Sequence, residues 1–350
     1  MLRNMCIAVV TILWVTACSS RTAEVPTVPG TVYVPASKFI AIEPGQKIEG
    51  LVRRYGETDY TLQKVGGGLY VMFSRFYNVP FYVGSAGVLV FDPAAGSTES
   101  LLQAVKSVTD LPVTSLVYSH HHQDHIDGSR ALVEAMKTKG VPVEVVATLK
   151  TAEILSHTGA DGHAPVTRVV DVDAGQADLQ FEDLHVKVVG FKYPTHSLDQ
   201  SVFVIDAYKV VIAPDFVSPD QFPFFRFSYN AGNTASYIDN LHVLNGLAWN
   251  KLIGGHGNFG SKEDVKFLIG FVADLEAAVR MAVASAPDVD PMKYGSDSAI
   301  PYLQEPYIIK SARSQLDGKY ARYSGYAYVI DSFIQEAIVY TATGVQTKRE

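Results

Sequence analysis

The stretch Val117-Tyr-Ser-His120-His121-His122-Gln123-Asp124-His125-Ile126-Asp127-Gly128 places four His and two Asp within eight residues. An apolar, β-type run at 113–118 leads into it, and a helix-type run at 129–139 leads out. His120 and His122 are two apart, so on extended backbone at a strand end both side chains face the same way. Asp124 and His125 follow where the chain turns towards the helix. A packed core has no use for imidazoles crowded in this way, whereas metal ligation gives them a common partner. The rest of the chain has to fold so that it holds this loop, completes its metal sites and covers it.

The 350 residues are enough for one large domain or two ordinary ones, and 47% hydrophobic with 19% charged content is that of a globular chain with a sizeable core. The net charge of −7 comes without a long basic run, which argues against nucleic acid as a partner. A small-molecule substrate is expected instead.

The N-terminus reads as a targeting segment. Arg3 is a short positive region, the apolar run 7–15 is too short to span a bilayer, and Val15-Thr16-Ala17-Cys18 resembles a bacterial lipobox. The expectation is a lipoprotein signal peptide over 1–17 and a lipid on Cys18 that anchors the chain to a membrane. Ser19 points to the outer membrane by resemblance to sorting rules, facing the periplasm. Cys6 and Cys18 are the two cysteines, so the mature chain has no internal disulfide. Residues 18–44, rich in Thr, Val, Pro and Ala, read as a flexible tether. The catalytic domain is expected over 45–286, and 287–350 as a C-terminal extension packed on it. That extension contains a helical run at 325–341 approached through Tyr320 and Tyr323.

Strand-type runs at 60–65, 69–73, 81–83 and 88–91, punctuated by Gly, predict an antiparallel meander. Helix, strand, helix, strand and helix follow at 97–108, 113–118, 129–139, 143–147 and 148–157. A second set of strands occupies 168–172, 177–181, 185–191, 201–205 and 210–213. A helix at 233–246, a short strand at 252–253 and a long amphipathic helix at 262–286 complete the pattern. Two similar halves of this kind predict an α+β, four-layer αβ/βα sandwich, with two mixed sheets face to face and helices outside.

His120-x-His122-x-Asp124-His125 resembles the H-x-H-x-D-H signature of the metallo-β-lactamase superfamily, placed after a strand as in that family, and the resemblance extends over 61–286. It implies a metallo-β-lactamase fold and a two-metal centre. By resemblance, His196 in Tyr193-Pro194-Thr195-His196-Ser197 joins His120 and His122 on a first metal. His256 in Gly254-Gly255-His256-Gly257 joins Asp124 and His125 on a second. Asp215, ending the apolar run 210–213, matches the metal-bridging Asp of glyoxalase II and acyl-homoserine-lactonase members, where several true β-lactamases have Cys or Ser. Asp92 matches an acid that orients ligands in the family without binding metal. Asp127 reads as a polar loop residue.

The donor set of five His and two Asp suits Zn²⁺, two per chain, and also accepts Fe or Mn. The implied chemistry is hydrolytic. A metal-activated water attacks an ester, lactone or related acyl carbon, and Asp124 is the catalytic residue that orients it and hands its proton to the leaving group. Aromatic segments around Phe76 and Tyr77 and around Phe222 and Phe224 are candidates for the wall of a rather apolar substrate pocket. β-Lactam hydrolysis, phosphodiester or sulfate-ester hydrolysis and iron-dependent redox chemistry are the competing activities within the same superfamily. His121 reads as a polar loop residue, and His157, His163, His185 and His242 as ordinary surface or core histidines.

Overall fold

The computed structural model describes residues 25–52, 59–158, 162–172, 175–193, 196–223 and 234–342. The signal segment 1–17, Cys18 and Phe224 lie outside the described residues. β1 (Val32–Val34) and β2 (Gln46–Ile48) pair in parallel as a small sheet of their own. A seven-stranded sheet then runs in sequence order through β3 (Thr61–Gly66), β4 (Leu69–Ser74), β5 (Tyr77–Val83), β6 (Val88–Phe91), β7 (Val113–Val117), β8 (Glu144–Thr148) and β9 (Arg168–Val170). β3 to β6 are an antiparallel meander, and β6 to β9 are parallel. Parallel neighbours need crossovers, which α1 (Thr98–Lys106), α2 (Gln123–Ile126), α3 (Ser129–Lys137) and α4 (Leu149–Thr158) supply.

The second sheet has six strands: β10 (Gly175–Phe181), β11 (Leu184–Gly190), β12 (Ser201–Ile205), β13 (Val210–Ala213), β14 (Lys251–Gly254) and β15 (Phe259–Gly260). β13 and β14 are its parallel pair, joined through α5 (Thr234–Gly246). α6 (Lys262–Ala284), α7 (Pro291–Tyr294), α8 (Ala299–Tyr320) and α9 (Tyr326–Ala342) complete the chain.

The strands that carry the site are buried on both faces, and their alternation sorts residues into layers. In β6, Leu89 and Phe91 enter the core between the sheets while Val88 and Val90 meet the outer helices α1 and α3. In β12 and β13, Phe203, Ile205, Val210 and Ile212 face the same inter-sheet core. Val202, Val204, Val211 and Ala213 pack instead against α5 and α6. Helix, sheet, sheet, helix is thus the layer order, the sandwich expected from the sequence.

Two expectations are corrected. Residues 25–44 pack on the sandwich instead of forming a free tether. Ile42 is buried in the inter-sheet core together with Ile48 and Leu51. The Thr27 hydroxyl donates to Asp264 Oδ1 at 2.8 Å, and the Tyr33 hydroxyl to Asp220 Oδ2 at 3.0 Å. Lys47, only 2% exposed, sits between the carboxylates of Asp220 and Asp264. Composition suggested a linker because the few apolar anchors are spread thinly along it.

The second correction is α8, a helix of 22 residues that sequence patterning passed over. Its buried positions Ile308, Ala312, Leu316 and Tyr320 form a single narrow stripe, and Pro306 interrupts its first turns. The stripe packs with α9 onto α6, whose start is fixed by Ser261 and Asp264 in a capping box.

Candidate metal centre

The site residues leave the sheets where β6, β7, β11, β13 and β14 end. β7 delivers His120 and His122 on nearly extended backbone, and the single turn of α2 then presents Asp124 and His125. His196 comes from the β11–β12 connection, Asp215 from the end of β13 and His256 from the turn after β14. Donor atoms of His120, His122, His196 and Asp215 all lie within 4.8 Å of one another, and so do those of Asp124, His125, Asp215 and His256. Asp215 belongs to both groups.

Distances place its carboxylate between them. Oδ2 is 3.0 Å from His125 Nε2 and 3.3 Å from His196 Nε2, while Oδ1 is 3.3 Å from His256 Nε2. His122 Nδ1 is 2.9 Å from His196 Nε2. The backbone at Asp215 is left-handed, with φ +58°, and so is that of Asp92, with φ +44°. Asp is among the few residues that adopt this region with small penalty, and strain of this kind concentrates at functional sites.

The residues around the ligands set which ring nitrogen is free. Asp92 Oδ1 accepts the Ser119 amide at 2.8 Å and Oδ2 its hydroxyl at 2.6 Å. The same hydroxyl oxygen is 2.8 Å from His120 Nδ1 and, having donated to Asp92, accepts from that ring. This leaves His120 Nε2 as the lone-pair nitrogen, buried without a hydrogen-bond partner. Asp92 therefore orients a ligand, through Ser119. His256 donates Nδ1–H to the Phe76 carbonyl at 2.7 Å, which likewise frees its Nε2. Asn78 on β5 donates to the carbonyls of Gly254 and Gly257 at 2.9 and 3.1 Å and so shapes the turn that carries His256. A Cβ on Gly255 would lie 2.3 Å from Asp215 Oδ1 and 2.5 Å from His125 Cε1, so this position has room for glycine alone.

The electrostatics fit a bound cation. Burial drives His120 well below its ordinary range and His196 down to about 3, so both are neutral donors. Burial works against charge on His125 too, but the Asp215 carboxylate outweighs it and lifts the ring to about 9. Despite burial, the surrounding imidazoles hold Asp215 well below the usual carboxylate range. The Nε2 atoms of His120 and His125 and Oδ1 of Asp215, buried without a hydrogen-bond partner and grouped together, are what a metal satisfies.

A cavity of about 800 Å³ opens over these ligands. Phe76, Tyr77 and Phe222, expected from the sequence, line it; Phe222 also stacks edge-on against Phe271 and Tyr326 in the core. The opposite wall comes from the C-terminal extension, through Gly325, Tyr328 and Val329. Tyr328 is 91% exposed, whereas Tyr320, Tyr323 and Tyr326 are buried.

Sequence reasoning missed several residues here. His121 is more than a polar loop residue, since it pairs with the buried Asp199 at 2.7 Å. Ser119 and Asn78 carry no sequence signal beyond being polar next to apolar strand positions. Asp127 takes no place in either ligand group and lies 4.0 Å from His163.

Residues 75–256 match the metallo-β-lactamase superfamily, and the chain belongs to it. A hydroxyacylglutathione hydrolase from Nitrobacter winogradskyi is 31% identical over 138 residues, 37% of this chain and 46% of that protein. A second protein of that name, from Bradyrhizobium sp., is 29% identical over 233 residues, 62% of this chain and 77% of its own length. The alpha subunit of a 2,4-dinitroanisole O-demethylase from Nocardioides sp. is 23% identical over 208 residues, 57% of this chain and 58% of that subunit. The chain thus spans about half the length of the Nitrobacter protein. Among solved structures, a metallo-β-lactamase from Pontibacter korlensis superposes with a TM-score of 0.51 at 17% identity, covering 61% of this chain and 99% of that one, a likeness of fold. The family and the ligand set together fit a metal centre at this site.

Proposed function

We propose that the protein hydrolyses an ester, thioester or lactone with the help of two metal ions, zinc being the pair that the donor set suits best. The observation that carries this reading is Asp215, one carboxylate shared by two histidine-rich ligand groups. Relatives named hydroxyacylglutathione hydrolase agree with it, since an acylglutathione is a thioester. His120, His122 and His196 would hold one ion, and Asp124, His125 and His256 the other, with Asp215 between them. Such a pair, when bound, supplies Lewis acidity and a nucleophilic water near neutral pH.

The protein's own residues do the rest. Asp124, with a side chain 45% exposed at the cavity floor, orients the water and carries its proton to the leaving group. The Tyr77 hydroxyl bonds to Asp124 and fixes it; burial first, and then the Asp124 and Asp215 charges, push that phenol up to about 12, so it stays a hydrogen-bond donor. The rings of Phe76, Phe222 and Tyr328 give the acyl group apolar surface. We also propose that a lipid on Cys18 holds the enzyme at the outer membrane, facing the periplasm. Only seven peptide steps separate Cys18 from Val25, which packs against the α6 core, so the anchor is within about 25 Å of that residue.

Metal analysis of protein purified without added metal, followed by turnover of aryl esters, thioesters, γ-lactones and a chromogenic cephalosporin on the same preparation, tests the assignment. Acyl and thioester turnover is expected to exceed cephalosporin turnover. Asp124→Ala should lower kcat by at least about 10²-fold in a folded protein. Zinc-loaded protein that cleaves none of the esters, thioesters or lactones would sink the proposal. Mass spectrometry of the mature N-terminus tests the lipid on Cys18.

A further inference from the structure

His121 lies between two ligands in the chain but belongs to neither ligand group. Its ring lines the cavity over the centre. Its Nδ1 is 2.7 Å from Asp199 Oδ1, and its Nε2 has no hydrogen-bond partner among the described residues. Asp199 is 4% exposed and lies three positions after His196. The same Oδ1 accepts the Ser197 hydroxyl at 2.9 Å, while Oδ2 is buried without a hydrogen-bond partner among the described residues. Burying a carboxylate costs several kcal/mol unless it is fully partnered, as on the order set by ion desolvation. Here the buried charge is spent on a ring that no metal group includes.

The pairing has a chemical consequence. An ionised carboxylate only accepts, so Nδ1 carries the proton in the His121–Asp199 bond. With Nδ1 engaged by Asp199, Nε2 is the acceptor nitrogen of that tautomer, held at a fixed angle by a buried anchor. A ring held only for packing would not need its tautomer set. We infer that His121 is a specificity-determining residue whose Nε2 accepts a hydrogen bond from an O–H or N–H donor on the acyl part of the substrate. Asp199 is the positioning residue behind it. The preferred substrates are then acyl compounds bearing a hydroxyl or amide N–H close to the scissile carbonyl, an inference that rests on the hydrolase reading above.

The test compares p-nitrophenyl 3-hydroxybutyrate with p-nitrophenyl 3-methoxybutyrate on metal-loaded full-length protein. The two esters keep the same oxygen, and the methoxy ester replaces the donor hydrogen with a methyl group. One well-made hydrogen bond predicts a kcat/KM ratio of about tenfold or more in favour of the hydroxy ester. In His121→Phe that ratio should collapse to within about twofold of one, with metal content per chain retained. Asp199→Ala, which keeps the ring but frees it, should lower the ratio less. A wild-type ratio near one, a preference for a carboxylate at that position, or a tenfold ratio that survives His121→Phe would each overturn the inference. If metal-loaded protein cleaves neither of these esters nor any ester, thioester or lactone of the panel above, the hydrolase reading fails by itself. The donor site is then judged by NMR titration with 3-hydroxybutyramide and 3-methoxybutyramide. Tighter binding of the hydroxy amide that disappears in His121→Phe supports it, and equal binding overturns it.

Discussion

The two halves of the sandwich build the metal centre in different ways. The first half contributes His120, His122, Asp124 and His125 from one loop and one helical turn after β7. The second contributes His196, Asp215 and His256 singly, each from a different strand end. In the first half local backbone geometry brings the ligands together. In the second only tertiary packing does so, through the β13–β14 pairing and the Asn78 hold on the turn after β14. The contiguous half fixes which rings face a metal. The scattered half supplies Asp215, the one carboxylate common to both ligand groups.

The sharpest way to break this picture is to remove that carboxylate. Asp215→Ala should take metal content from about two ions per chain to fewer than one, because both groups lose a ligand at once. Catalytic efficiency should fall by at least about a thousandfold. His256→Ala touches one group alone and should keep about one ion per chain. Elemental analysis after dialysis against metal-free buffer reads both variants. If His256→Ala strips the metals as completely as Asp215→Ala, the shared-carboxylate arrangement is wrong.

The difference in legibility follows from the same contrast. The loop was readable because ligands packed into eight residues leave little else for them to do. His196, Asp215 and His256 were readable only as residues at strand ends in the expected order, once the loop had set the family. The roles of Ser119 and Asn78 were not legible, since each depends on strand register. Ser119 reaches Asp92 because β6 and β7 pair so that the Asp92 amide meets the Val117 carbonyl. His121 and Asp199 are 78 residues apart, and no local pattern joins them. The layers of the fold were legible from alternation, whereas the packing of residues 25–44 and of α8 was not, because in both the apolar anchors are spread thinly through polar sequence.

Acid and base act with opposite sign on different ligands when the protein is free of metal. His120 and His196 are held neutral, His196 with a value of about 3 against an ordinary 6.5. The stability they contribute is present above pH 6.5 and is lost as pH falls towards 3. His125 is raised to about 9, so its contribution is complete below pH 6.5 and is lost as pH rises through 9. Asp92 runs against the first pair. Burial lifts it to about 6 from 3.8, and its cost is relieved as pH falls across that interval. Two histidines shifted further than one aspartate win, so the Tm of chelator-treated protein should peak near pH 6.5 and fall on both sides. Scanning calorimetry across that range checks it, and a profile that keeps rising towards pH 9 would contradict the His125–Asp215 coupling.

A smaller effect separates the two ligand groups most cleanly. Ser119 touches the first group only, with its hydroxyl between Asp92 Oδ2 and His120 Nδ1. Ser119→Ala removes that link but leaves the Ser119 amide on Asp92 Oδ1, so the β6–β7 junction keeps its backbone bond. His120 then loses the acceptor that fixes its tautomer, and Nε2 no longer has a preferred protonation state. Affinity for the metal held by His120, His122 and His196 should drop by about 10- to 100-fold, as when an outer hydrogen bond to a metal-binding His is lost. The group of Asp124, His125 and His256 keeps all its contacts and should bind as before. Ser119→Thr retains the hydroxyl and should recover most of the loss. Competition with a chromophoric chelator resolves the two dissociation constants. Equal weakening of both sites would mean that Asp215 couples them so tightly that the two ligand groups do not bind metal separately.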